Sequence, residues 1–184
     1  MRKAKIPKPE LILLLTECFR ENGFEGTTLS MLTKATGLEK ASLYHHFPKG
    51  KQAMAEAVLA SVIDELQSQV LIKLEDDVHA RDKLSSMFKA VDKFYKGGRQ
   101  LCFITIFSIG DSASPIKKSL KLAVTKWVKL IESCLDELQV KDSKRRAQVA
   151  VSAIQGALIA SHTLGDPKVF RNALLQIEEN TLAS

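Results

Sequence analysis

Thr27-Thr28-Leu29-Ser30-Met31-Leu32-Thr33-Lys34-Ala35-Thr36-Gly37-Leu38-Glu39-Lys40-Ala41-Ser42-Leu43-Tyr44-His45-His46-Phe47 decides the reading of this 184-residue chain. Thr27 and Thr28 are N-cap residues for a short helix that runs to Thr36 and closes at Gly37. A second short helix spans Glu39 to Phe47 and stops at Pro48-Lys49-Gly50. Two helices of about two turns joined through a glycine form a helix-turn-helix. Leu29, Leu32, Leu38 and Leu43 supply its small core, and Phe47 packs back on a preceding helix. Lys40, Ala41, Ser42, Tyr44, His45 and His46 are left facing outwards. A cation, a hydroxyl, a phenol and two imidazoles on one exposed helix suit the major groove, where they donate to base edges and pack on thymine methyls. Thr27, Thr28 and Lys51 lie near helix starts, where hydroxyls, backbone N–H groups and an amine grip phosphates.

Upstream, a helix begins after Pro9 with Ile12, Leu15 and Phe19 on one face and ends at Gly23. Residues 1–51 hold nine lysines and arginines against five glutamates, most of the whole chain's net charge of +6. A basic head is the electrostatic footprint of a nucleic-acid binder.

Downstream the helices lengthen, and no run alternates like a strand. Lys51 to about Glu75 carries Ala53, Ala57, Val58, Val62, Leu66 and Val70 at helical spacing. Residues 79–96 follow, ending at Gly97-Gly98, and Gln100 to Ile109 is short and almost wholly apolar. Gly110-Asp111-Ser112-Ala113-Ser114-Pro115 is turn material opening a helix to about Gln139. Asp142 or Ser143 opens another that ends at Gly165, and Asp166-Pro167 starts the last. The expected fold is all-α, with a three-helix head at 1–50 for DNA and a body of about six helices at 51–184.

The residues Phe19-x-x-x-Gly23-Phe24, Thr27-Thr28, Thr36-Gly37-Leu38, Leu43-Tyr44-His45-His46-Phe47 and Lys51 resemble the TetR/AcrR family of transcriptional regulators. The run from Ser42 to Lys51 is similar to the branch of lincomycin-resistance regulators. The resemblance is detailed over residues 10–60 and rests on helix count and length beyond. It implies DNA contacts from the positions of Thr27, Thr28, Lys40, Ala41, Ser42, Tyr44, His45, His46 and Lys51. It also implies a ligand pocket in the body and a homodimer through the last two long helices. Three places depart from the family pattern. Thr33 and Thr36 stand where alanine is usual, Glu39 stands where a small residue often caps the reading helix, and the turn before Lys51 is one residue longer.

Met87, Phe88, Phe94, Phe103, Phe107, Trp127 and Ile131 are candidate pocket lining, with His162 as a polar contact beside Gln155, Thr125 and Ser161. The same stripe also reads as ordinary core. This lining favours a small, mostly apolar effector. Ala147, Ala150, Val151, Ile154, Ala157, Leu158 and Ser161, with Phe170, Leu174 and Ile177, are read as the faces that meet a second copy.

No Gly-rich phosphate loop, H-E-x-x-H, G-x-S-x-G or nucleophile–base set occurs, so no catalytic residue and no cofactor is expected. His45 and His46 are adjacent, point to different helix faces and have no acidic or thiol neighbour, so no metal is expected either. Cys18, Cys102 and Cys134 are odd in number and widely spaced, which argues against a disulfide framework; redox sensing at Cys102 or Cys134 is the alternative to buried thiols filling space. No apolar stretch approaches the roughly 20 residues of a membrane span, and a cytoplasmic protein is expected. The expected function is a repressor of palindromic operator DNA released by effector. An architectural or cell-cycle DNA-binding protein of the same fold, without a ligand, is the alternative.

Overall fold

A computed structural model describes residues 6–108 and 114–183, so the turn expected over residues 110–113 lies outside the described residues. Nine α-helices and no strand occur among them: α1 Lys8–Gly26, α2 Leu29–Thr36, α3 Lys40–His46, α4 Lys51–Gln69, α5 Ala80–Phe94, α6 Phe103–Ser108, α7 Ser114–Glu137, α8 Ser143–Leu164 and α9 Pro167–Leu182. The chain divides into two compact units. One comprises Met1–Val62 with Ile106–Ser119; the other comprises Ile63–Thr105 with Leu120–Ser184.

In the first unit, α1 buries Leu11, Leu15, Cys18 and Phe19 on one face. Pro9 sits in its first turn, where a missing N–H costs nothing. Gly23, at φ 69° and ψ 177°, breaks the helical path before Phe24, so the sequence's glycine stop falls inside the element rather than at its end. Three side chains then take up carbonyls around that break. Asn22 Nδ2 donates to Cys18 O at 2.8 Å, Thr27 Oγ1 donates to Gly23 O, and Lys51 Nζ donates to Phe24 O at 2.9 Å. Phe19, Phe24 and Phe107 of α6 form an aromatic cluster with centroids 5.8–6.3 Å apart.

The second unit has one continuous apolar core drawn from α4, α5, α7, α8 and α9, including Leu66, Leu84, Phe88, Trp127, Ile154 and Phe170. The expected helix from Lys51 to Glu75 is shorter than its pattern. It ends at Gln69, and Leu71–Leu74 tighten into a 3₁₀ turn. Leu71 and Leu74, three residues apart, both enter the core, and a three-residue turn stacks them directly above one another.

Between α5 and α6, Gly98 adopts φ +88°, and a Cβ there would lie 2.5 Å from Phe170 Cβ. Only glycine allows this approach to α9, and Ser161 Oγ fastens the turn by donating to Gly98 O at 3.1 Å.

One expectation is overturned here. Ala147, Ala150, Val151, Ile154, Ala157, Leu158 and Ser161, read as the partner-facing side of α8, are buried within the chain itself. Phe170 and Leu174 of α9 are buried too, and Ile177 packs against the same core. The branched side chains of that stripe fill the space among α5, α8 and α9. The opposite side of α8 is the open one: Val149 is 61% and Ile159 44% exposed, with Ser152 and Gly156 exposed between them.

Candidate nucleic-acid interface

Thr28 caps α2 by accepting the Met31 N–H at 3.3 Å on its hydroxyl, while Met31 Sδ accepts the Thr28 N–H at 3.5 Å. Gly37 closes α2 in the left-handed region at φ 66°, as the sequence required. The unusual threonines are accommodated. Buried Thr36 donates to Leu32 O at 2.8 Å and accepts the Leu38 N–H, and Thr33 donates to Ser30 O. Their hydroxyls are hydrogen-bonded locally, so neither forces apart the packing beneath the reading helix.

α3 has seven residues and one fully buried anchor, Leu43, which packs into the head with Leu32 and Phe47. Leu29 and Leu38 of the expected head core are half-buried. Lys40, Ala41, Ser42, Tyr44, His45 and His46 are all exposed. A helix whose single inward residue is a leucine and whose other six face solvent has the form a reading surface requires and is not a core element. Tyr44, 41% exposed, stands against Gly50, whose φ is +66°. A Cβ at Gly50 would come within 3.3 Å of Tyr44 Cε1, so the glycine makes room for the ring that closes the C-terminal end of the surface. His45 and His46 rings lie 5.9 Å apart at 71°. No group of three or more His, Cys, Asp or Glu among the described residues could hold a metal ion. Glu39 caps α3 through its backbone alone, and its exposed side chain makes no capping bond.

Two of the nine expected DNA residues are engaged elsewhere. Thr27 is 1% exposed and its hydroxyl donates to Gly23 O, so its side chain faces inwards. Lys51 is half-buried, bonded to Phe24 O, with Nζ 4.6 Å from the Phe24 ring centroid. Position near a helix start singled out both residues; both also donate to carbonyls in the last turn of α1.

The expected pocket residues divide between the units. Met87, Phe88, Trp127 and Ile131 share the second unit's core, and Phe94 packs on its edge; Phe103 is buried as well. Phe107 belongs to the first unit, against Phe19 and Phe24. His162 is exposed in the last turn of α8, and Thr125 is exposed on α7. Ser161 is held by Gly98, which leaves Gln155, half-buried with its amide atoms enclosed, among those proposed.

A feature absent from the sequence reading is the Trp127 indole N–H, fully buried with no acceptor. An unmet donor in such a core costs about 1–3 kcal/mol. A groove of about 210 Å³ between α8 and α9 is lined by Arg145, Arg146, Val149, Ala153 and Ile177 among others, and by none of the expected pocket residues.

All three cysteines are free and buried. Burial pushes the Cys102 thiol up, against the opposing effect of hydrogen bonds from Tyr95 (3.1 Å), Ile104, Thr105 and Gln155. Burial raises Cys18 and Cys134 as well. Raised thiols inside apolar surroundings are poor nucleophiles.

Residues 14–58, from α1 into α4, match the model of bacterial regulatory proteins of the tetR family. The HTH-type transcriptional repressor DhaR of Mycobacterium sp. (strain GP1) is 30% identical over 154 residues, covering 78% of this chain and 76% of that protein. The chain belongs to the TetR family.

The HTH-type transcriptional regulator LmrA of Bacillus subtilis is 21% identical over 162 residues, covering 85% of this chain and 86% of its own. Among solved TetR-family structures, a cysteine mutant of the regulator CifR, complexed with a 26-base-pair operator duplex, superposes with a TM-score of 0.81 at 15% identity over 99% of each chain. This is a TetR-family transcriptional regulator in sequence and in fold. The family model stops at residue 58, so the matched segment is the head that carries the reading surface and not the body.

Proposed function

We propose that the chain represses transcription by holding a palindromic operator as a homodimer and lets go when a small, mostly apolar effector binds. The observation that carries this reading is α3, whose six solvent-facing side chains stand on one buried leucine. Lys40 and Ser42 donate to base edges, and Tyr44, His45 and His46 add aromatic contact to bases and sugars. Thr28 and the N–H groups at the start of α2 hold phosphate. Residues 1–50 are the DNA-binding part, and residues 51–184 are the part that binds effector and pairs the subunits. The protein works in the cytoplasm and without catalysis.

A two-fold dimer presents two copies of α3 one helical turn of DNA apart. The pairing surface is the open side of α8, where Val149, Ser152, Gly156 and Ile159 combine exposed apolar groups with small residues, which lets a second helix come close. The effector contacts Trp127. Its unpaired N–H, beside Met87, Phe88 and Ile131, calls for an apolar molecule carrying a hydrogen-bond acceptor. Turning a mostly bound population into a mostly released one requires roughly 5 kcal/mol of differential affinity.

Selection of duplexes from a random pool by the full chain tests this reading. The expected result is one enriched inverted repeat. Binding to it should be weakened by an acceptor-bearing apolar compound that also changes the fluorescence of the single tryptophan. Enrichment of no symmetric sequence overturns the reading.

A further inference from the structure

We propose that Lys51 is a positioning residue for the reading helix, acting through the end of α1 and not through a phosphate; this rests on the DNA-binding reading above. Its Nζ donates to Phe24 O at 2.9 Å across 27 residues of sequence. The same ammonium lies 4.6 Å from the Phe24 ring centroid. Both partners are supplied by one residue, so ring and carbonyl together fix where the amine sits. Phe24 is itself held, with its ring 6.3 Å from Phe19 and 6.2 Å from Phe107.

The electrostatics favour this seat. Lys51 opens α4, where the helix dipole presents its positive end and a cation is unfavourable. Reaching back to the carbonyls at the end of α1 places the charge at a negative end instead. The last turn of α1, just past the break at Gly23, ends in carbonyls without intrahelical partners. Thr27 and Lys51 answer two of them, Gly23 O and Phe24 O. Lys51 is the member of that set that comes from another helix, so it ties the end of α1 to the first turn of α4. Gly50, the residue before it, is the one that Tyr44 stands on. The latch therefore sets the floor of the reading surface.

A phosphate ligand and a positioning residue differ in what they do to salt dependence. Each lysine that neutralises a phosphate contributes about 0.9 to the slope of log K against log salt. Removing two such lysines from a dimer would flatten the slope by about 1.8. A lost latch leaves the slope alone and lowers affinity for the selected sequence.

The experiment titrates the full-length wild type, Lys51→Met, Lys51→Arg and Phe24→Leu against the selected duplex and an unrelated one, from about 50 to 200 mM salt. Wild type must first prefer the selected duplex; if it does not, the DNA-binding reading itself has failed. The expected result is a loss of roughly tenfold or more for Lys51→Met on the selected duplex alone, with the slope unchanged. Lys51→Arg, which keeps a donor and a cation over the ring, restores most of the loss. Phe24→Leu carries no charge change and keeps the carbonyl, so it reports on position even if Lys51→Met unfolds, and it should reproduce the loss with the wild-type slope. A flatter slope for Lys51→Met, equal losses on both duplexes, or wild-type affinity in Phe24→Leu overturns the proposal.

Discussion

Replacing Gly50 by alanine should damage DNA binding more than stability. Gly50 has φ +66°, and an L-residue held there costs about 1–2 kcal/mol. Its new methyl would lie 3.3 Å from Tyr44 Cε1, 3.6 Å from Oη and 3.7 Å from Cζ. The phenol must then yield by a few tenths of an ångström, and it is free to do so because one side of it is open. On the proposed reading, that movement displaces the ring from the position in which it meets the duplex. Taking about 1 kcal/mol per subunit for the misplaced contact, a dimer loses about 2 kcal/mol, roughly 30-fold in affinity. Gly165 is the control. It has φ +64°, ends α8, and would meet nothing within 4 Å. Gly165→Ala therefore carries the same backbone strain and no consequence for the reading helix. Urea unfolding of both variants should give similar losses of about 1–2 kcal/mol, while anisotropy with a labelled duplex should separate them. If Gly50→Ala and Gly165→Ala bind the duplex equally well, Tyr44 is not positioned by Gly50 for recognition and the reasoning fails.

Leu43 is fully buried and is the one anchor of α3, so Leu43→Ala should cost about 2–5 kcal/mol and abolish DNA binding, as read by denaturant unfolding and anisotropy together. Val149→Glu with Ile159→Glu adds charge to the open side of α8 and should give monomers of unchanged helicity in sedimentation; a stable dimer would place the pairing surface elsewhere. Cys18, Cys102 and Cys134 should react slowly with a thiol reagent until denaturant is added, and rapid native reaction at Cys102 or Cys134 would favour redox sensing. The same raised thiols predict that stability falls as pH climbs past the ordinary thiol value of 9.0, because the unfolded chain then binds fewer protons than the folded one. Urea midpoints measured either side of that pH check the sign.

The head was largely readable because its signals are local. Thr28 as a cap, Gly37 as a stop, and Leu43 as the single inward residue follow from caps and periodicity. The internal bonds of Thr27 and Lys51 were not readable from the sequence. Their partners, Gly23 O and Phe24 O, are backbone carbonyls in the last turn of α1, and a carbonyl's need of a donor leaves no trace in residue type. The faces of α8 were confused because both are apolar or small: Ala150, Ile154 and Leu158 on one side, Val149, Gly156 and Ile159 on the other. Periodicity finds two stripes there, and only packing against α9 decides which is inner. Phe107 illustrates the same limit. A phenylalanine in an apolar run suits a ligand pocket or a structural cluster equally well, and its neighbours Phe19 and Phe24 lie more than 80 residues away in sequence. The open donor of Trp127 was hidden because a tryptophan's hydrogen-bond partner is a property of the fold, not of the residue.

The outward face of α3, presented twice by a pair of chains, is the claim that most of the account depends on. A hydroxyl-radical footprint of the selected duplex, run with wild type and with Tyr44→Ala of equal helicity, addresses it directly. Two protected patches about 34–36 Å apart with wild type, both lost with Tyr44→Ala, is the predicted outcome. One unpaired patch with wild type, or the same two patches with Tyr44→Ala, contradicts it.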